Sequence, residues 1–271
     1  MSILQALTLG LIQGLTEFLP VSSSGHLVLA EHMLNVPMTD DITFEVFLHF
    51  GTLLSVMIVF WKDITGITLA IVRAFMPFRL GREYYRSSEH FRLGIFILLG
   101  SLPAGFVGLK YESQIGGAFA DPKLVAVMLV VTGLLLFLTR LAKPIEGKQM
   151  GPVSAFAIGI AQAIAITPGI SRSGSTISTA MYLGFSPVLA ARFSFLLSLP
   201  AVAGATLLKA KEMFEVGAVS SGVVPLLVGM LVAFVSGYAS IKFLLKLLER
   251  GRMSWFAVYC LIVGALGILF I

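Results

Sequence analysis

Two short polar segments interrupt a chain that is otherwise a succession of apolar runs. Pro20-Val-Ser-Ser-Ser-Gly-His26 and Thr167-Pro-Gly-Ile-Ser-Arg-Ser-Gly-Ser-Thr176 each fall between apolar arms too short to cross a bilayer. A spanning helix needs about 20 mostly apolar residues. The runs 44–61, 92–110, 123–142, 187–208, 223–245 and 253–271 meet that length. The broken stretches 3–34 and 152–184 do not, because each arm covers only half a membrane at about 1.5 Å per residue. The pattern predicts an all-α polytopic membrane protein with six transmembrane helices and two re-entrant helix-turn-helix hairpins. Irregular backbone at membrane depth must be buried in protein or line a wet cavity, so the two breaks are where function is expected.

Composition agrees with the bilayer as solvent. Hydrophobic residues make up 57% of the 271 positions and charged residues 12%, against about 25% charged in soluble proteins. No polar stretch is long enough to fold apart, so residues 1–271 read as a single membrane domain. The single cysteine, Cys260, excludes an internal disulfide and a cysteine-based metal cluster. Met1–Leu7 lacks the basic region of a secretory signal and reads as the start of the first membrane segment. The net charge of +5 does not point to nucleic acid, because the bases sit in short loops between apolar runs. Trp61 and Trp255 fall at run ends, as interfacial anchors do.

The two broken segments echo each other. Gly10-Leu-Ile-Gln13 answers Gly159-Ile-Ala-Gln162, Pro20 answers Pro168, and Gly25 answers Gly174. A weaker echo joins Leu99-Gly-Ser-Leu-Pro-Ala104 to Leu196-Leu-Ser-Leu-Pro-Ala201. Repeat one is read as 1–142 and repeat two as 151–271, each with one hairpin and three spans. Three spans change sides and a hairpin does not, so the second repeat enters upside down, an inverted-topology repeat. With the N-terminus outside, Lys62, Arg73, Arg79, Arg82, Arg86, Arg92, Arg140, Lys143, Lys148, Lys242, Lys246, Arg250 and Arg252 fall inside. Only Lys110, Lys123, Lys209 and Lys211 fall outside with the acidic cluster Glu31, Asp40, Asp41 and Glu45, as the positive-inside rule requires. The hairpins then enter from opposite faces and their tips meet near the midplane.

Ionisable groups at that depth are costly and mark function. In the first hairpin Gln13 and Glu17 share a helix face. Ser22, Ser23 and Ser24 stand where they can cap the next half-helix. Ser22 and Ser23 precede His26 by four and three positions, so they share its face. The group offers a carboxylate, hydroxyls and an acid–base ring. The plainer alternative is that the serines only cap and His26 bonds a backbone carbonyl.

In the second hairpin, Gly169, Ser171, Arg172, Ser173, Gly174 and Thr176 open a half-helix. Helix N-termini bind anions through free N–H groups and the dipole. The glycines let backbone approach a ligand, and the Arg172 guanidinium is a planar fork suited to phosphate. Its plainer partner is Glu17, in a structural ion pair. Two helix starts and an arginine suit a multiply charged anion such as a diphosphate. A divalent cation held by Glu17 would neutralise charge on such a group. His49 and Glu45 read as a partly solvated pair, His32 and His90 as loop residues, Arg73–Arg92 as the inside face, and Pro103 and Pro200 as helix kinks.

At Gln13-Gly-Leu-Thr-Glu-Phe-Leu-Pro-Val-Ser-Ser-Ser-Gly-His26 and Pro168-Gly-Ile-Ser-Arg-Ser-Gly-Ser-Thr176 the sequence resembles the bacterial undecaprenyl-diphosphatase family linked to bacitracin resistance. The resemblance runs the length of the chain. It implies a hydrolase of the phosphoric anhydride of undecaprenyl diphosphate, yielding undecaprenyl phosphate and inorganic phosphate. That reaction recycles the lipid carrier for peptidoglycan synthesis, cell-wall biogenesis and cell shape. It also implies the bacterial cytoplasmic (inner) membrane, a site open to the outer or periplasmic side, and Mg2+ or Ca2+ as cofactor. The catalytic set becomes Glu17, Ser23, His26 and Arg172. Ser22, Ser24, Gly169, Ser171, Arg172, Ser173, Gly174 and Thr176 become phosphate binders. Glu17 becomes the metal ligand, with Gln13 weaker because some relatives carry Glu there. Ser23 is the expected nucleophile with His26 as base or acid; His26 or water as attacker is the rival. Partners are the polyprenyl diphosphate and membrane lipid, and a homodimer is admitted. A lipid flippase or transporter, suggested by the inverted repeat, is the alternative function, alone or as a second role.

Overall fold

The computed structural model describes residues 1–34, 42–75, 82–216, 222–251 and 253–270. Asp40, Asp41, Arg79 and Arg252, placed on loops above, lie outside the described residues. All regular structure among the described residues is helix, with no strand. The first break separates α1 (Ile3–Phe18) from α2 (Ser23–Leu34), and α3 (Ile42–Val59), α4 (Trp61–Ala74), α5 (Arg82–Ser87), α6 (Glu89–Lys110), α7 (Glu112–Phe119) and α8 (Pro122–Leu138) follow. The second break separates α9 (Pro152–Ile164) from α10 (Arg172–Tyr182), before α11 (Pro187–Val216), α12 (Val223–Glu249) and α13 (Ser254–Phe270).

Four stretches, Glu89–Lys110, Pro122–Leu141, Pro187–Leu208 and Val223–Glu249, are long and apolar enough to cross a membrane. The pair Thr43–Val59 and Trp61–Ala74 adds a fifth if taken as one span bent by 81°. The protein is thus a multi-pass membrane protein. Its outer surface carries large apolar side chains such as Leu102, Phe106, Leu231 and Leu269, which only lipid solvates without penalty. Run 44–61 becomes α3, which turns sharply at Phe60. Run 253–271 becomes α13, whose 17 residues reach only about 26 Å at 1.5 Å per residue.

Residues 62–91, read above as a basic loop, include two helices. In α4 the charges Lys62, Asp63 and Arg73 occur among apolar residues, and Ala70 and Ala74 are buried. Its 14 residues are too few to span, so a search for bilayer-length apolar runs passes over it. An Arg192–Asp63 ion pair fastens α4 to α11, and the Tyr84 hydroxyl donates to the Ala70 carbonyl at 2.9 Å. Glu112–Phe119, also unpredicted, is the short α7. Pro103 and Pro200 sit inside α6 and α11.

Packing links the two halves crosswise. Helix α1 lies on α12, and α9 lies on α6, while α8 pairs with α13 and α3 with α12. The close approaches use glycines. A Cβ on Gly10 would stand 2.7 Å from the Gly229 carbonyl oxygen, and one on Gly159 would stand 2.2 Å from that of Gly100. Small residues at such crossings let helix backbones meet. By packing partner α6 answers α12, whereas the Leu-Pro-Ala echo links α6 to α11. Behind the first break, the Phe18 ring meets Phe195 of α11 edge-on, with centroids 5.7 Å apart. That apolar floor, with Phe185, Phe193, Leu196 and Leu197 fully buried, supports both breaks.

Candidate active site

The sequence folds locally into two matched helix starts. Pro20 and Pro168 lie in the breaks. In the first break, the Ser22 hydroxyl accepts from the Gly25 N–H at 3.2 Å and shares a 3.2 Å bond with the Ser24 hydroxyl. In the second, the Ser171 hydroxyl accepts from the Gly174 N–H at 3.0 Å and shares a 3.3 Å bond with the Ser173 hydroxyl. A capping serine accepts from the N–H near the third helical position. The same cap therefore opens α2 at Ser23 and α10 at Arg172, and the glycines paired in the sequence, Gly25 and Gly174, occupy equivalent positions.

The two tips touch. The Gly169 N–H donates to the Ser24 hydroxyl at 3.4 Å, and the Ser173 hydroxyl donates to the Leu19 carbonyl at 3.1 Å. Gly169 has φ +87, and a Cβ there would stand 2.3 Å from the Val125 carbonyl oxygen of α8. Both the left-handed backbone and the close approach require glycine. Ser22 has φ 69, the one positive φ at a non-glycine among the described residues. Strain of this kind costs about 1–3 kcal/mol and collects at functional sites.

Between the tips stands Glu17. Its Oε2 accepts from the Ser23 hydroxyl at 2.6 Å and from the Gln13 amide at 3.1 Å. Its Oε1 accepts from the Arg172 guanidinium, which forms an ion pair with it. Gln13 and Glu17 are buried. The resting partner of Arg172 is thus the carboxylate that the sequence offered as the plainer possibility. One polar capacity stays open on each side: Arg172 Nη1 and Gln13 Oε1 are buried without a hydrogen-bond partner. A buried donor left unmatched is costly, and a substrate anion would satisfy it.

His26 takes the plainer of the two arrangements the sequence offered, against a backbone carbonyl. Its Nδ1 faces the Ser22 carbonyl at 2.8 Å, and its Nε2 faces the Tyr259 hydroxyl at 2.8 Å. Ser23 is hydrogen-bonded to Glu17 rather than to His26. Three residues on a helix share a face but need not touch, and the carboxylate is the stronger acceptor. Thr176 sits farther along α10, with its hydroxyl against the Arg172 and Ser173 carbonyls and 2.6 Å from the Ser194 hydroxyl of α11. Ser22, Ser24, Gly169, Ser171, Ser173 and Gly174 all lie at the two tips.

Three residues without a motif complete the site. Thr132 of α8 accepts from the Ser171 N–H at 3.0 Å and donates to the Gly169 carbonyl at 3.0 Å, pinning the second tip. Ser194 holds Thr176, and Tyr259 holds His26. Gln162, the counterpart of Gln13, is buried with both amide atoms unpartnered. Lone hydroxyls within apolar spans were the only sequence signal for the first three.

Metal ligation is tested by the donor set. Among the described residues no three His, Cys, Asp or Glu side chains come together to hold an ion. Both Glu17 oxygens are engaged, by Ser23 and the Gln13 amide on one side and Arg172 on the other. Once Arg172 has left Glu17, that carboxylate and the free Gln13 oxygen could hold a hard cation of the Mg2+ type, which needs only one or two protein oxygens when substrate phosphates supply others.

Residues 6–266 match the family described as Bacitracin resistance protein BacA, and the chain belongs to that family. It is 44% identical over 265 residues to an undecaprenyl-diphosphatase of Salinibacter ruber, covering 97% of each chain. It is 42% identical over 271 residues to an undecaprenyl-diphosphatase of Halothermothrix orenii, covering 99% of this chain and 98% of the relative. A third relative, an undecaprenyl-diphosphatase of Desulfosudis oleivorans, is 43% identical over 266 residues, or 96% of each.

Proposed function

We propose that this protein hydrolyses undecaprenyl diphosphate to undecaprenyl phosphate and inorganic phosphate in the bacterial cytoplasmic membrane. The carrying observation is Glu17, held between Ser23 at the start of α2 and Arg172 at the start of α10. Full-length relatives named for this reaction support the choice of substrate. Recycling of the lipid carrier for the cell wall, and resistance to bacitracin, follow from that activity.

The diphosphate enters between the tips and takes Arg172 from Glu17, engaging the free Nη1 as well. The first N–H groups of each half-helix face the anion. Glu17, now released, accepts the Ser23 proton as Ser23 Oγ bonds to the terminal phosphorus. The bond from that phosphorus to the bridging oxygen breaks, and undecaprenyl phosphate leaves. Water then bonds to the phosphoserine phosphorus, the bond from phosphorus to Ser23 Oγ breaks, Glu17 returns its proton to Ser23, and inorganic phosphate leaves. His26 is the second acid–base group of the tip. Glu17 and Gln13 would hold a divalent cation, Mg2+ or Ca2+, whose chemistry is to neutralise phosphate charge. The prenyl chain lies in lipid along the apolar groove of about 710 Å³ lined by residues of α6 and α9, including Phe106 and Phe156, and by Thr167 of the second break.

The matched caps and the crosswise glycine contacts support the inverted repeat, with six spans and two re-entrant hairpins and the site open to the outer side. In this reading α3 and α13 are the fifth and sixth spans. Purified protein in detergent should release phosphate from farnesyl or undecaprenyl diphosphate, and EDTA should stop it until Mg2+ or Ca2+ is restored. Transport has no meaning in detergent, so a pure flippase would release none. Acid-stable phosphate on Ser23 marks a serine nucleophile; acid-labile phosphate marks His26.

A further inference from the structure

We infer that Tyr259 is the positioning residue that holds the basic Nε2 and the ring plane of His26, while the Ser22 carbonyl fixes which nitrogen carries hydrogen. The inference rests on the reading above that His26 acts at the site. The Ser22 carbonyl oxygen offers only lone pairs, so the Nδ1 that faces it at 2.8 Å carries hydrogen. In a neutral imidazole Nε2 is then the acceptor, and the Tyr259 hydroxyl, 2.8 Å away, donates to it. The neutral ring has one arrangement in which both bonds are made, and it leaves Nε2 as the basic nitrogen.

Packing reinforces the hydrogen bond. The Tyr259 and His26 rings lie 5.5 Å apart by centroid and within 7° of parallel. The next residue, Cys260, is fully buried against the Pro20 carbonyl, with its sulfur 3.7 Å from that oxygen. Adjacent side chains of α13 therefore hold the start of the break and the imidazole beyond it. A phenol also suits a group that changes protonation. It donates to Nε2 while that atom is bare and accepts from it once Nε2–H has formed. Phe at this position would keep the stack and lose both options.

The test is Tyr259→Phe in purified, lipid-reconstituted protein with 15N-labelled histidine. The chain has four histidines, and His26→Gln identifies the His26 signals. In the unsubstituted protein His26 should show a protonated Nδ1 and a hydrogen-bonded Nε2. In Tyr259→Phe the Nε2 signal should move to its unbonded position. The kcat should fall about tenfold, the scale of one lost hydrogen bond, with KM within about twofold. A merely structural role would lower the melting temperature and leave the His26 nitrogens in place. Unchanged kcat, or an unmoved Nε2 signal, overturns the inference. His26→Ala, assayed beside it, separates the two layers. A fully active His26→Ala removes the role of His26 and this inference with it. A dead His26→Ala beside a Tyr259→Phe of normal rate removes the role of Tyr259 alone.

Discussion

Ser23 and Arg172, the first residues of two facing half-helices, donate to opposite oxygens of the Glu17 carboxylate. One tip thus supplies a hydroxyl and the other a guanidinium, at equivalent positions after equivalent serine caps. In the proposed mechanism the carboxylate between them is the resting stand-in for substrate phosphate on the arginine side and a proton acceptor on the serine side.

That dual position makes stability and activity separable. Removing one partner of a buried ion pair costs about 3–5 kcal/mol, because the other charge is left bare. Glu17→Ala and Arg172→Ala should each lower thermal stability and reduce phosphate release at least about 100-fold. The double variant Glu17→Gln with Arg172→Met should regain much of the stability and none of the activity. Thermal unfolding in detergent beside a phosphate assay reads both, and full activity in folded Arg172→Ala protein would remove the pocket.

Ser22 combines a capping hydroxyl with φ 69. Ser22→Ala loses the cap and keeps the strain, whereas Ser22→Gly loses the cap and relaxes the backbone. The glycine variant should be the more stable of the two by about 1–2 kcal/mol. Equal melting temperatures would mean that the break tolerates the left-handed backbone without cost.

Thr132 pins the second tip with two hydrogen bonds from its one hydroxyl. Thr132→Val keeps the volume but leaves the Ser171 N–H and the Gly169 carbonyl unmatched, at about 1–3 kcal/mol each. Phosphate release should fall about tenfold or more, and Thr132→Ser should restore most of it. A Thr132→Val protein as active as the parent would place the tip under other control.

The crossing of α9 on α6 is tested by Gly159→Ala. Its Cβ would meet the Gly100 carbonyl oxygen at 2.2 Å, whereas a Cβ on Gly105 meets nothing within 4 Å. Overpacking of this kind costs about 1–3 kcal/mol. Gly159→Ala should melt well below the parent while Gly105→Ala, on the same helix as Gly100, stays close to it.

The two breaks were legible because their signals are local: a proline, serines that cap, a glycine three positions after the cap, and charge where lipid forbids it. The long runs were legible for the same reason, as length and composition decide them. Contacts between distant residues were not. Ser23 lies on the His26 side of its helix by spacing, yet bonds Glu17, because the chain turns back at Pro20 and brings a carboxylate within reach. Thr132, Ser194 and Tyr259 are single hydroxyls in apolar spans, and nothing in their neighbourhoods distinguishes them from lipid-facing residues. Helix α4 was passed over because its 14 residues fall short of a bilayer span, the length by which apolar runs were recognised.

The crosswise seating of the hairpins also orders the birth of the site in time. Gly10 rests on Gly229, so the first tip is synthesised more than 200 residues before its support exists. A ribosome that has released only the first half has delivered Glu17, Ser23 and His26 without Arg172 or the helix that seats them. Reactivity toward phosphate is therefore withheld until nearly the whole chain is inserted, and a truncated product is inert rather than partly active.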